Sequence, residues 1–165
     1  MRLLTGEALD RVFSYFEHAG EEAKRSLCLR SRCGTVIVDG EGQVIGRGYN
    51  APPQDDIAIR RCDRKHELHP TFKSDKTCCV HAEQRAVMDA LARNPAKLPG
   101  STLYFVRLDA EGKMKYSGKP YCTICSKMAL DAGVRFFCLY HEEGVGMYDT
   151  REYNELSFAY REDSA

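Results

Sequence analysis

The sequence predicts an α/β domain, and three observations carry that expectation. Segments with apolar residues at helical spacing alternate with short runs rich in β-branched and aromatic residues. One such run, residues 134–140, is apolar on both faces, as a strand must be when helices cover both sides of its sheet. The length of 165 residues, with 43% hydrophobic and 29% charged, suits one globular domain over 1–165 and excludes wholesale disorder.

Taken in order, Leu9, Val12, Phe13, Phe16, Ala23 and Leu27 mark one apolar face of a helix over about residues 5–27. Residues 35–38, the turn Asp39-Gly40-Glu41-Gly42 and residues 43–49 read as a β-hairpin. Residues 50–79 hold Pro52, Pro53, Pro70 and many charges with little periodicity. A loop of that length inside a compact domain is uncommon and tends to be functional. A helix follows over about 81–93, with Ala86, Val87, Ala90 and Leu91 inward, and Asn94-Pro95 stops it. Residues 102–106 form a third strand and 109–112 a turn. After Pro120 a helix over 123–132 carries Cys125, Met128, Ala129 and Ala132 on its apolar side. Residues 134–140 form a fourth strand, and 149–160 a further helix. The aromatics Phe13, Phe16, Phe105, Phe136 and Phe137 read as core, and His18 and His141 have no motif around them.

Lysine plus arginine and aspartate plus glutamate number 24 each, so the net charge is zero. That balance argues against nucleic acid as the partner, since no overall basic field would hold it. No apolar run approaches the roughly 20 residues of a membrane helix. The N-terminus lacks the apolar core of a signal peptide, and a cytoplasmic location is expected.

Eight cysteines are too few for a disulfide scaffold at this length. Two of them make a motif. Cys122 and Cys125 lie three apart at the start of a helix, where both face one way, and thiolates at that spacing can share a tetrahedral zinc. A helix N-terminus also lowers thiol pKa. The other helix that opens on polar chemistry begins His81-Ala82-Glu83, where His81 can supply a third ligand. Three protein ligands leave a fourth position for water, and a carboxylate such as Glu83 beside it can carry protons. Alone, each motif has other readings, among them a structural zinc half-site or a redox pair for Cys-x-x-Cys. Together, and in this order after a proline, they match the His-x-Glu…Pro-Cys-x-x-Cys pattern of zinc nucleobase deaminases.

On these motifs the chain resembles the cytidine deaminase superfamily, most of all its deoxycytidylate deaminase branch, over about residues 8–140. Ser26-Leu27-Cys28-Leu29-Arg30 followed by Gly34-Thr35-Val36-Ile37-Val38 is similar to that family's first helix and strand, and Gly46-Arg47-Gly48-Tyr49-Asn50 to its strand ending in Gly-Tyr-Asn. Val80-His81-Ala82-Glu83 matches the catalytic segment, and residues 133–140 resemble the strand after the cysteine helix. The resemblance implies a three-layer α/β/α sandwich around a five-stranded mixed sheet. It implies zinc held by His81, Cys122 and Cys125, Glu83 as proton carrier, and hydrolysis at C4 of a cytosine-type nucleotide or nucleoside, deoxycytidylate favoured. Guanine, adenosine in tRNA and a non-catalytic zinc module are the alternatives. It further implies substrate contacts at Asn50 and Ala82 and a homo-oligomer. Cys62, His66, His69, Cys78 and Cys79 crowd the long loop, and a second, structural zinc there is the functional reading. The remaining thiols, Cys28, Cys33 and Cys138, are expected as packing, and the charged run 60–65 as solvated loop or phosphate contact.

Three departures from the family pattern stand out. Tyr121 separates Pro120 from Cys122. Arg85 stands where many deoxycytidylate deaminases have asparagine. The interval from His81 to Cys122 is long, and its extra length is expected in residues 109–119.

Overall fold

The computed structural model describes residues 1–61 and 77–160. In order the elements are β1 (Arg2–Leu4), α1 (Glu7–Lys24), β2 (Arg32–Val38), β3 (Val44–Tyr49), α2 (Ala82–Arg93), β4 (Thr102–Leu108), β5 (Met114–Lys115), α3 (Thr123–Asp131), β6 (Phe136–His141), β7 (Gly144–Asp149) and α4 (Thr150–Ala159). One sheet runs β1-β7-β6-β4-β2-β3, with β5 beside the end of β4. β4 and β6 are parallel and every other pairing is antiparallel.

All four helices expected from periodicity are present, with ends shifted by a few residues. The sheet has seven strands where five are implied. Five are six or seven residues long. The fifth of these, β7, escapes a pattern reading because Gly144 and Gly146 interrupt its alternation. The two additions, β1 and β5, span three and two residues, too few to show a period.

Alternation along the strands builds two cores. Val36 and Val38 of β2 and Tyr104 and Val106 of β4 face α1, where they meet Phe16, Ala19 and Ala23. Ile37, Leu103, Phe137 and Leu139 face the opposite way, toward Ala86, Val87 and Ala90 of α2, Ala129 of α3 and Tyr153 of α4. The result is three layers, with one helix on one side of the sheet and three on the other. Phe16 and Phe137 are fully buried, while Phe13, Phe105 and Phe136 are half-buried. His18 is exposed, and half-buried His141 ties the Ser117 carbonyl to the Tyr148 hydroxyl.

The approach of α2 to β3 is closer than side chains permit. A Cβ on Gly46 would lie 2.4 Å from the Ala86 carbonyl oxygen, and one on Gly48 would lie 2.1 Å from that of Ala82. Both contacts are backbone, so nothing soft can yield. The chain leaving β3 is also pinned: Ala51 and Val80 exchange backbone hydrogen bonds of 3.3 and 2.9 Å, which closes the mouth of the long loop. Gly48→Ala must push the first turn of α2 off the sheet. It is expected to cost about 3 kcal/mol of stability, as strong overpacking does, read by denaturant unfolding.

Candidate functional site

Two helix starts face each other in front of the sheet. His81 caps α2 in an extended conformation, and its backbone N–H donates to Gln84 Oε1 at 3.0 Å. Cys122 caps α3, and its sulfur accepts from the Cys125 backbone N–H at 3.5 Å. These caps turn three soft donors toward one point. His81 Nδ1 lies 3.2 Å from Cys125 Sγ and 3.5 Å from Cys122 Sγ, and the two sulfurs are 3.3 Å apart. Among the described residues this is the group of three or more metal-ligating side chains that converges within 4.8 Å. One imidazole nitrogen and two sulfurs are a zinc donor set, and the residues fit that ion by chemistry as well as by proximity.

The electrostatics favour a thiolate here. Hydrogen bonding from Cys125 lowers the Cys122 thiol to about 4, against the penalty of burial, with His81 and the α3 backbone helping. Sharing that charge drives the Cys125 thiol the other way, and burial adds to it. Glu83 is 8% exposed, and desolvation raises its carboxyl; His81 opposes that shift and Cys122 adds to it. A carboxyl that holds its proton more tightly than usual, beside metal-ligating side chains, is suited to carrying protons.

The group lies against a cavity of about 350 Å³. Asn50 and Ala82 line it, as expected. The Asn50 amide is largely committed: its Oδ1 accepts from Ser26 Oγ at 2.6 Å and from the Cys33 N–H at 2.8 Å, and its Nδ2 donates to the Ser31 carbonyl at 2.7 Å. Among the described residues, one amide hydrogen remains without a partner. Cys78 and Cys79 also line the cavity, with their sulfurs 3.9 Å apart. Cys62, His66 and His69, the rest of the expected second metal group, lie outside the described residues, as does most of the run 60–65.

Two expectations need correction. Cys28 is half-buried and lines the cavity instead of packing in the core, whereas Cys33 is buried, as expected, and lines the cavity as well. Cys33 lies within β2, which begins at Arg32, rather than before it. Cys138 is fully buried in packing, as expected.

The departures from the family pattern find physical places. Tyr121 is 62% exposed, with its ring edge-on to Tyr160 at 4.8 Å, and it lines the cavity beside Cys122, while the two sulfurs stay 3.3 Å apart. Arg85 turns away from the cavity; it pairs with Asp55 at 2.9 Å, donates to the Pro52 carbonyl at 2.8 Å and lies over the Tyr49 ring. The extra length before Cys122 forms β5 and then residues 116–119, which line the cavity. The sequence places that stretch beside the pocket mouth; it does not point to Arg107 or Tyr153. For Arg107 a signal exists, because it shares a strand face with Phe105 two positions before it. For Tyr153 there is none, since only the tertiary fold brings α4 to the site.

Comparison with known proteins decides the family. The family model for the cytidine and deoxycytidylate deaminase zinc-binding region matches residues 11–140. This chain belongs to that family. A deoxycytidylate deaminase of Schizosaccharomyces pombe is 40% identical over 81 residues, which are 47% of this chain and 25% of that protein. The deoxycytidylate deaminase of Homo sapiens is 26% identical over 116 residues, 68% of this chain and 54% of that protein. The chain thus spans from a quarter to about half of the length of these relatives. Among solved structures, cytidine deaminase from Burkholderia pseudomallei aligns with a TM-score of 0.56 at 15% identity, over 86% of this chain and 94% of that one. The dCMP deaminase of cyanophage S-TIM5, crystallised with dCMP and dUMP, aligns at 0.53 and 20% identity, over 81% and 82%. At these identities the structures show a shared fold. No helix among the described residues is long and apolar enough to cross a membrane.

The thiol electrostatics are testable. In zinc-free protein, Cys122 is expected to react with iodoacetamide first at pH 6, because a thiol lowered to about 4 is already ionised there. Burial keeps Cys33 and Cys138 protonated. Peptide mapping after brief alkylation reads the order, and labelling of Cys138 ahead of Cys122 contradicts it.

Proposed function

We propose that this chain is a zinc-dependent hydrolytic deaminase of a cytosine nucleotide, with deoxycytidylate as the favoured substrate. The observation that carries the reading is a buried carboxyl, Glu83, set beside His81, Cys122 and Cys125 against a cavity of nucleoside-accommodating size. These three side chains would hold the zinc, which when bound supplies an activated water. Glu83 would take a proton from the attacking water and deliver it to N3 of the ring. As the water oxygen bonds to C4, its second proton would pass to Glu83 and on to the amino group, and the C4–amino bond would break as the C4 carbonyl forms and ammonia leaves. The remaining Asn50 amide hydrogen is offered to the sugar, and Ala82, fully buried, leaves room for the ring.

Charge on the cavity wall favours a phosphorylated substrate. Arg30, Arg61, Arg107 and Lys119 line the cavity, and Glu83 is the one carboxylate among its described lining residues. That excess of cations near a small cavity suits a single phosphate, and the names of the relatives point the same way. A non-catalytic zinc module has less support, since it has no use for a buried Glu83, and neither Cys78 nor Cys79 joins the three converging donors.

Two measurements test the reading. Glu83→Gln is expected to retain zinc while losing at least about a hundredfold in ammonia release, as removal of a general acid–base group does. Full turnover by this variant contradicts the role. Arg107→Gln is expected to raise KM for deoxycytidylate by about tenfold or more, the scale of one charged hydrogen bond, and to leave KM for deoxycytidine nearly unchanged. Equal effects on both substrates contradict a phosphate contact.

A further inference from the structure

α4 lies beyond the family match, which ends at residue 140, yet it reaches the centre of the site. Tyr153, 5% exposed, lines the same cavity as His81, Glu83 and Cys122. Its phenol lies near Glu83, Cys125 and Cys122.

Several independent contacts fix that position. The Tyr153 ring stacks on Phe137 with centroids 3.8 Å apart and planes 15° from parallel, and meets Tyr148 edge-on at 5.6 Å. Its neighbour Asn154 accepts a hydrogen bond from Ser126 Oγ of α3 at 2.8 Å. Asp149 caps the helix, accepting from the Arg151 N–H at 3.0 Å. A ring held this way can swing little, so its hydroxyl is preorganised.

The hydroxyl also has capacity to spare. Among the described residues, no hydrogen bond takes up the phenolic hydrogen. Buried tyrosines in general find a partner for that group, and the open space beside this one is the cavity.

We propose that Tyr153 is a specificity-determining residue: its hydroxyl donates a hydrogen bond to an acceptor on the ring of the bound aminated pyrimidine. The inference rests on the deaminase reading above. It gives α4 a direct part in selecting the substrate. A ring that offers a donor at that edge meets O–H against N–H and is disfavoured, because a buried polar group then goes unpaired.

The test separates binding from chemistry. Glu83→Gln protein, which binds without turnover, is titrated with deoxycytidylate by calorimetry, with and without Tyr153→Phe. Phenylalanine keeps the ring stacked on Phe137 and removes the hydroxyl alone. Binding about three- to tenfold weaker is expected, the scale of one neutral hydrogen bond, with zinc per chain and melting temperature unchanged. In the otherwise wild-type enzyme, Tyr153→Phe is expected to raise KM more than it lowers kcat. Undiminished binding overturns the proposal. So does weaker binding accompanied by lost zinc or a lower melting temperature, since the hydroxyl is then structural. If the Glu83→Gln protein binds no deoxycytidylate at all, the nucleotide reading falls first, and this one with it.

Discussion

α2 rests on β3 with no side chains between them at Gly46 and Gly48, and this backbone contact sets where the chemistry is done. A helix that touches a strand at backbone distance has one depth and one angle available to it. Its first residues are therefore delivered to a fixed point. His81 and Glu83 occupy that turn, so their reach into the cavity follows from two absent side chains one strand away. The start of α3 meets them from the other side, anchored by a cap in which the Cys122 sulfur is both the helix's hydrogen-bond acceptor and a member of the donor group. Helix geometry and metal-binding geometry are here satisfied by the same atoms.

Burial and charge then divide the work. Cys122 sits where backbone amides and the neighbouring thiol favour negative charge, while Glu83 sits where loss of water disfavours it. Two acidic groups within one small space are thus pushed in opposite directions by different surroundings: one toward its ionised form, the other toward its protonated form. The same residue types on an open surface would show neither shift.

Much of this was legible in the sequence where it is local. Helical and strand periods located four helices and four strands, and two short motifs marked the helix starts that carry the donors. What escaped is what only folding brings together. β1 and β5 are too short to have a period. β7 is interrupted by glycines. Tyr153 reaches the cavity from the last helix, and nothing in Tyr-Asn-Glu-Leu announces a site residue. Cys28 differs from expectation for a related reason: a thiol near a strand packs against core or faces a cavity according to which elements cross it, and those come from far along the chain. The Tyr121 insertion shows the converse. A departure visible in the sequence leaves the three donors converged, while the extra residue joins the cavity lining and packs its ring against Tyr160.

The backbone pair between Ala51 and Val80 bears on how such a protein diversifies. It joins the two ends of the segment that separates β3 from α2, directly before His81. With both ends clasped, the cost of lengthening what lies between grows only as the logarithm of its length. Strain from an insertion or deletion there stops at the clasp before it reaches the helix start. Part of the cavity's surroundings can thus be rewritten by evolution while the donor group stays in place. The clasp separates a part free to acquire new preferences from a part that must keep its geometry.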